Sequence, residues 1–114
     1  MSLAYRECLK SEHRARHGAL IRKGSRYSVG YNKQANHPSI CWPDDNSIHA
    51  EHDAIRKHTN PDGGVMYSVR LNQRLYPAIA KPCDRCAQSS IEAGIKRIIY
   101  TDPSSITGYS ELKL

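Results

Sequence analysis

The stretch 48-IHAEH-52, read together with 81-KPCDRC-86, decides both the fold and the chemistry of this chain. It supplies one imidazole, from His49, and two thiols, from Cys83 and Cys86, and these are side chains that zinc prefers as ligands. A catalytic zinc ion takes three ligands from the protein and keeps its fourth tetrahedral position for water. The two stretches therefore predict a catalytic Zn²⁺ site formed by His49, Cys83 and Cys86.

Glu51 is predicted to be the catalytic carboxylate rather than a fourth ligand. It follows His49 by two residues at the start of a helix, from where it can reach past the metal to the bound water. Two thiolates already offset much of the zinc charge, so the metal acidifies its water less than an all-histidine site would. A carboxylate is then needed to take the proton of that water and to return it to the leaving group.

Cys83 and Cys86 form a Cys-x-x-Cys pair at the N-terminal turn of a helix that Pro82 is predicted to open. This spacing points both sulfur atoms at one spot, and the free backbone N–H groups of a first turn favour thiolates. The pair alone is ambiguous, because it is also found in redox-active sites and in structural zinc sites. A His-x-Glu motif at a second helix start favours a catalytic site over a structural one.

Length and composition predict one domain, residues 1–114, with a single modest core. Hydrophobic residues make up 39% of the chain and charged residues 25%, as in ordinary globular proteins. The sequence has no apolar run of membrane-spanning length and no signal-peptide pattern, so we expect a cytoplasmic protein with no membrane partner. Metal binding is then favoured over disulfides, which leaves Cys8 and Cys41 as free thiols.

The net charge of +6 is unevenly distributed along the chain. Residues 1–33 contain many Lys and Arg against only Glu7 and Glu12, whereas residues 34–65 are acidic on balance. This bias suits a phosphate-bearing partner, either a nucleotide or a polynucleotide. A solvated basic face without a specific partner is the alternative interpretation.

Hydrophobic patterning predicts the element order α-β-β-α-β-α-β, with at most one short edge strand near the C-terminus. Crossovers of one hand place the two metal-bearing helices on one face of a partly parallel sheet, so that their N-termini can meet. We interpret His13 and His17 as surface or second-layer residues. The predicted elements are a helix at 2–14, a hairpin of 19–21 and 26–31, a helix at 48–58 capped by Asn46 or Ser47, a strand at 65–69, a loop at 70–81, a helix from 82 to 92 or 93, and a strand at 95–100.

The polar loop from Lys33 to Ser47 contains Trp42, the only tryptophan, and leads directly into His49. Long loops in small domains are commonly functional or mobile, so we expect this one to form a wall of the site. Trp42 is then either a hydrophobic plug beneath the loop or a surface on which a base stacks.

Further short matches surround the metal motif: Gly30-Tyr31-Asn32, Ala54-Ile55, Cys86-Ala87, Glu92-Ala93-Gly94-Ile95-Lys96 and Tyr100. These matches resemble the cytidine deaminase superfamily, most closely its deoxycytidylate (dCMP) deaminase branch, and the resemblance as a whole extends over residues 17–101. The resemblance implies a three-layer α/β fold with a mixed sheet of four to five strands and helices on both faces. It also implies a homo-oligomer that hydrolytically deaminates cytosine to uracil in a free nucleotide or nucleoside, with a dCMP-like substrate favoured.

Within that resemblance the zinc ligands are His49, Cys83 and Cys86, and Glu51 passes protons to N3 of the base and to the departing amine. Substrate contacts are implied for Asn32, on the sugar or base edge, and for the backbone N–H of Ala50 and the groups around Cys83, such as Pro82, on the pyrimidine ring. A phosphate group would be held by basic residues, of which the candidates are Arg22, Lys33, Arg70 and Arg74.

Two other functions stay open. The first is deamination of a base within single-stranded DNA or RNA, although Ala80-Lys81 stands where the branch that acts on tRNA adenosine shows Leu-Glu. The second is a non-catalytic, zinc-stabilised module that binds nucleic acid. A structural site of that kind would need a fourth protein ligand, for which His52 and His58 are the candidates.

Overall fold

The computed structural model describes residues 2–10, 16–34, 47–58 and 60–114. The predicted order of the helices and of the main strands is confirmed, including the C-terminal edge strand, but the short strands Lys33–Gln34, Ser47–Ile48 and Pro77–Ala78 were not predicted. Within the described ranges, no helix is both long and apolar enough to span a membrane. The helices are α1 (Ser2–Leu9), α2 (Ala50–Lys57) and α3 (Asp84–Glu92), and the strands are β1 (Arg16–Lys23), β2 (Arg26–Tyr31), β3 (Lys33–Gln34), β4 (Ser47–Ile48), β5 (Val65–Leu71), β6 (Pro77–Ala78), β7 (Arg97–Thr101) and β8 (Tyr109–Lys113).

The main sheet is mixed, as predicted, and has the strand order β2-β1-β5-β7-β8. The β5–β7 pair is parallel, and the pairs β1–β2, β1–β5 and β7–β8 are antiparallel. The five strands on this path agree with the predicted four to five. The short strand β6 also pairs with β5, within a segment that the sequence predicted as loop. Strands β3 and β4 form a separate antiparallel pair.

Helices cover both faces of the sheet, which confirms the three-layer α/β fold. Along β1, Ala19 and Ile21 pack with Ala50 and Ala54 of α2, whereas Leu20 packs on the opposite face. That opposite face is covered by α1 through Ala4 and Cys8, which pack with Leu20, Val69 and Leu71. Because side chains alternate across a strand, β1 is buried on both faces and forms the centre of the core.

Two glycines allow the helices to approach the sheet closely. A Cβ atom built on Gly30 would lie 2.6 Å from both Ala50 O and Ala54 N, and one on Gly18 would overlap the backbone of Ala4. Gly30 therefore seats α2 against β2, and Gly18 seats α1 against β1, because any larger residue would force the backbones apart.

The first helix is shorter than predicted. It ends at Leu9, Lys10 is in a turn, and residues 11–15 lie outside the described part of the chain. Leu9 is half-exposed and does not belong to the buried stripe, which consists of Ala4 and Cys8. Because most of the stability of a helix comes from packing its apolar face, residues beyond Cys8 gain little from remaining helical.

The other two helices begin later than predicted. Ser47 and Ile48 pair with β3 instead of entering α2, so Ser47 is not its cap; Asn46 lies outside the described residues. Pro82 precedes α3 instead of opening it, because the helix begins at Asp84. In both cases the residue immediately before the helix is a predicted metal ligand.

Candidate active site

His49 and Cys83 occupy the N-cap positions of α2 and α3. Both have extended backbones, with φ/ψ of −73°/146° for His49 and −68°/166° for Cys83. N-caps are usually Ser, Thr, Asp or Asn, whose side chains bond to the first-turn N–H groups. Neither of these side chains makes such a bond. Each is instead directed to a point that the two helix starts share.

The three predicted ligands meet at that point. Cys83 Sγ lies 3.8 Å and Cys86 Sγ 3.5 Å from His49 Nδ1. The ligand atoms of all three residues lie within 4.8 Å of one another. Tetrahedral zinc, with Zn–S bonds of about 2.3 Å and Zn–N bonds of about 2.0 Å, separates sulfur and nitrogen ligands by about 3.5 Å. The arrangement therefore fits Zn²⁺, with Nδ1 as the nitrogen donor.

Cys86 is the buried member of this group, and Cys83 is exposed. Burial raises the pKa of the Cys86 thiol above its usual range, and the charge of Glu51 and its hydrogen bond with Cys86 raise it further. Without metal, Cys86 therefore keeps its proton. Zinc binding must release that proton, because the thiolate is the ligand.

Glu51 lies in the first turn of α2 with only 1% of its surface exposed. Burial by itself would raise the pKa of its carboxyl group, but the charge and hydrogen bond of His17, followed by Cys86 and His49, lower that pKa to about 2. Glu51 is therefore a carboxylate at neutral pH, in contact with Cys86 at the edge of the metal group. This is the charge state that a proton acceptor requires.

His17, which the sequence indicated to be either a surface or a second-layer residue, lies behind Glu51 in the second layer. It is 5% exposed, and its Nε2 lies 2.6 Å from Glu51 Oε1. The spacing of His13 and His17 gave no indication of this, and His13 lies outside the described residues. The available signal was position, because His17 lies two residues before Ala19 in β1 and therefore shares its face of the sheet.

Hydrogen bonds hold the segment that leads into Cys83. Ala80 N donates to Thr101 O at 2.9 Å, and Thr101 Oγ1 donates to Ala78 O at 2.6 Å. Ser68 Oγ lies 3.4 Å from Ala80 O and 2.6 Å from His17 Nε2. Strands β5 and β7 thereby fix the approach to α3 and connect it to the surroundings of Glu51.

The predicted substrate contacts are only partly described. Asn32 lies at the site end of the sheet, where its Oδ1 accepts the backbone N–H of His17 at 2.9 Å. Ala50 and Pro82 are buried beside the ligands at the two helix starts. Arg70 is half-buried on β5, opposite His17 in register. Trp42 lies outside the described residues.

The phosphate candidates lie in different parts of the sheet. Arg70 lies on β5 opposite His17, and Arg74 is exposed on the connection between β5 and β6. Arg22 lies five residues beyond His17 along β1, roughly 17 Å away at the rise of a strand. It therefore lies at the end of the sheet opposite the metal group. For Lys33 only the backbone is described, on β3.

Neither proposed fourth ligand joins the metal group among the described residues. His58 follows the last turn of α2, roughly 13 Å along the helix from His49. Its Nδ1 accepts the backbone N–H of Asn60 at 3.0 Å. His52 lies one turn into α2 and is half-buried.

Comparison with known proteins agrees with this geometry. Residues 1–102 match the family model described as the cytidine and deoxycytidylate deaminase zinc-binding region. No curated protein sequence matches the chain significantly.

Several solved structures share the fold. The dCMP deaminase of cyanophage S-TIM5 in apo form is 22% identical, with a TM-score of 0.65 over 87% of this chain and 76% of that one. The same enzyme in complex with dCMP and dUMP is 20% identical, with a TM-score of 0.65 over 87% and 75%. A mutant cytidine deaminase from Mycobacterium tuberculosis is 19% identical, with a TM-score of 0.57 over 89% and 80%.

Proposed function

The chain belongs to the cytidine and deoxycytidylate deaminase family, and on that premise we propose that it hydrolytically deaminates the cytosine of a free nucleotide, with dCMP as the favoured substrate. The observation that supports this most directly is a buried carboxylate, Glu51, in contact with a group of three zinc-type ligands. A structural zinc site has no need of a carboxylate at that position.

Zn²⁺ is the cofactor, because the matched family region binds zinc and the donor set fits it. His49, Cys83 and Cys86 would hold the ion, and when bound it acidifies a water molecule. Glu51 accepts the proton of the attacking water and delivers protons to N3 and to the departing amine, so that ammonia and uracil result. The first-turn N–H groups of α2 and α3 point into the same space, where they can orient the base.

A monophosphate is favoured over a nucleoside by charge at the site end of the sheet. Arg70, Arg74 and Lys81 lie on the strand and connections there, and a phosphate recruits guanidinium groups through paired hydrogen bonds. The S-TIM5 enzyme that shares this fold was solved with dCMP and dUMP, a pair that differs by the deamination. Asn32 and Trp42 are further candidates for contact with the sugar and the base.

The test is ammonia release from dCMP, deoxycytidine, cytidine and a single-stranded oligonucleotide that contains one cytosine, with Glu51→Ala as the inactive control. We expect the highest kcat/KM for dCMP. A higher value for the oligonucleotide would favour the polynucleotide alternative. Release from none of the four would contradict the proposal and favour a non-catalytic zinc module.

A further inference from the structure

His17 and Ser68 are brought together by strand register. In the antiparallel pair of β1 and β5, His17 lies opposite Arg70 and Ala19 lies opposite Ser68. His17 and Ser68 are therefore diagonal neighbours on one face of the sheet. This is the face that α2 covers, because Ala19 packs against Ala50 and Ala54 there. Glu51, in the first turn of α2, lies directly over the pair.

The contact between His17 and Glu51 has a defined direction. Nε2 of His17 lies 2.6 Å from Glu51 Oε1 and 2.6 Å from Ser68 Oγ. An ionised carboxylate only accepts hydrogen bonds, so the imidazole must donate its Nε2–H. Ser68 Oγ is also 3.5 Å from the same carboxylate oxygen. One oxygen of Glu51 is thus held by groups of the sheet, which leaves the other for proton transfer.

The donor is itself held in place. His17 N donates to Asn32 Oδ1 at 2.9 Å, and Asn32 N donates to His17 O at 3.1 Å. The backbone of His17 is therefore fixed on one side by Asn32 and on the other by its pairing with β5. The imidazole itself is restrained by its burial and by its contact with Ser68 Oγ.

A proton-shuttling glutamate needs such a restraint. Its long side chain has several rotatable bonds, and burial alone does not select the rotamer that faces the reacting atoms. A misplacement of about 1 Å at a reacting group can cost about 10²-fold in rate.

We propose that His17 is a positioning residue, which holds the Glu51 carboxylate through its Nε2–H in the orientation that proton transfer requires. The inference rests on the proposed function, because His17 acts only through Glu51. Ser68 contacts the imidazole and Asn32 holds the backbone of His17, so both residues support His17.

The first test compares three variants with the wild type. His17→Leu removes the donor at similar volume, His17→Gln restores an N–H at a similar reach, and Ser28→Ala is the matched control. Ser28 is also buried under α2, where its Oγ donates to Ala54 O at 2.8 Å. We expect kcat to fall about 10- to 100-fold in His17→Leu with little change in KM. His17→Gln should recover most of this loss, and Ser28→Ala should match the wild type.

Zinc content and a double-mutant cycle separate positioning from a general structural role. His17→Leu should keep the zinc content of the wild type, measured by mass spectrometry of the metal. In a Glu51→Gln background it should cause no further loss of kcat, because the group through which it acts is already disabled. An additive loss, an effect on KM alone, or an equal loss in Ser28→Ala would overturn the inference.

A spectroscopic measurement does not depend on turnover. In histidine side-chain ¹⁵N spectra of the zinc-loaded protein, His17 should be protonated at Nε2 and the hydrogen-bonded proton should exchange slowly. Glu51→Gln should change this signal, and Asp53→Asn should not. An unchanged signal in Glu51→Gln would show that the two side chains do not interact.

The outcomes also distinguish this inference from the proposed function. If the wild type releases no ammonia from any substrate, the proposed function fails and the role of His17 in it fails as well. If the wild type is active, Glu51→Gln is inactive and His17→Leu is additive, only the assignment of His17 is wrong.

Discussion

Glu51 and Asp53 are two buried carboxylates of α2 that lie two residues apart. Their ionic partners differ: those of Glu51 are distant in the sequence, and those of Asp53 lie on the same helix. Glu51 is paired with His17 of β1, at 2.6 Å, and with the thiol of Cys86 in α3. These two partners come from distant parts of the sequence. Cys86 is one of the three predicted zinc ligands, and His17 lies behind Glu51. Asp53 is equally buried, with 0% exposure.

The partners of Asp53 are local. Its carboxylate lies 2.9 Å from Arg56 and 3.0 Å from Lys57, which are three and four residues farther along the same helix. It also accepts the backbone N–H of Tyr31 at 3.3 Å, which connects α2 to β2. The two cations are partly exposed, so the charge of Asp53 is balanced at the surface. Burial alone therefore does not identify a candidate catalytic carboxylate. The two residues are distinguished by whether their partners lie on the same helix or come from distant segments that also supply the predicted ligands.

The largest expected effect is that of Glu51→Gln. We expect kcat to fall about 10²- to 10⁴-fold, because the amide cannot accept and return a proton. Zinc content should equal that of the wild type, because Glu51 is not a ligand. Cys83→Ala is the contrasting control: it should lose both metal and turnover. If Glu51→Gln turns over at close to the wild-type rate, Glu51 is not the proton-transfer group, and it does not differ from Asp53 in function.

Asp53→Ala should have the converse effect. It removes one acceptor of the Tyr31 N–H and the carboxylate that pairs with Arg56 and Lys57, so we expect the free energy of unfolding to fall by about 1–3 kcal/mol. The kcat of the folded, zinc-loaded enzyme should match that of the wild type. Urea unfolding measures the first quantity and steady-state kinetics the second. A loss of kcat without a loss of stability would mean that Asp53, too, serves the reaction.

The smallest expected effect concerns the pH dependence of zinc binding. Burial and the charge of Glu51 raise the pKa of Cys86, so at neutral pH zinc must displace a proton from this thiol. Affinity should therefore rise with pH, by about tenfold per pH unit for this one proton. Glu51→Gln removes the negative charge, lowers that pKa and should strengthen zinc binding at neutral pH.

Competition with a chromophoric chelator between pH 6 and 8 measures this effect. Asp53→Ala is the matched control and should follow the wild type. An affinity that does not change with pH would contradict the protonated state of Cys86.

The meeting of His49, Cys83 and Cys86 could be predicted from the sequence because the signals involved are local. Two helix starts, each with a ligand at or beside the first turn, can be recognised from residue type and spacing alone. The helix caps were less predictable. The usual capping preference selected Asn46 or Ser47, but the N-cap positions belong to His49 and Cys83, whose side chains are directed toward the group of three predicted ligands. The preference fails here because neither N-cap side chain makes a capping hydrogen bond.

Other features depend on pairing between distant segments. The short strand β6 exists because Pro77 and Ala78 lie in register with Leu71 and Arg70, which no alternation of hydrophobic residues indicates. The half-exposure of Leu9 likewise follows from where α1 ends on the sheet.

The amino-acid sequence by itself determined which donor atoms are available and that two helices present them, because side-chain chemistry and helix periodicity are properties of short segments. Only the tertiary structure decided which buried polar groups meet. His17 and Ser68 are 51 residues apart in the chain and touch because β1 and β5 pair in one register. A shift of that register by one residue would turn His17 to the opposite face of the sheet, away from Glu51.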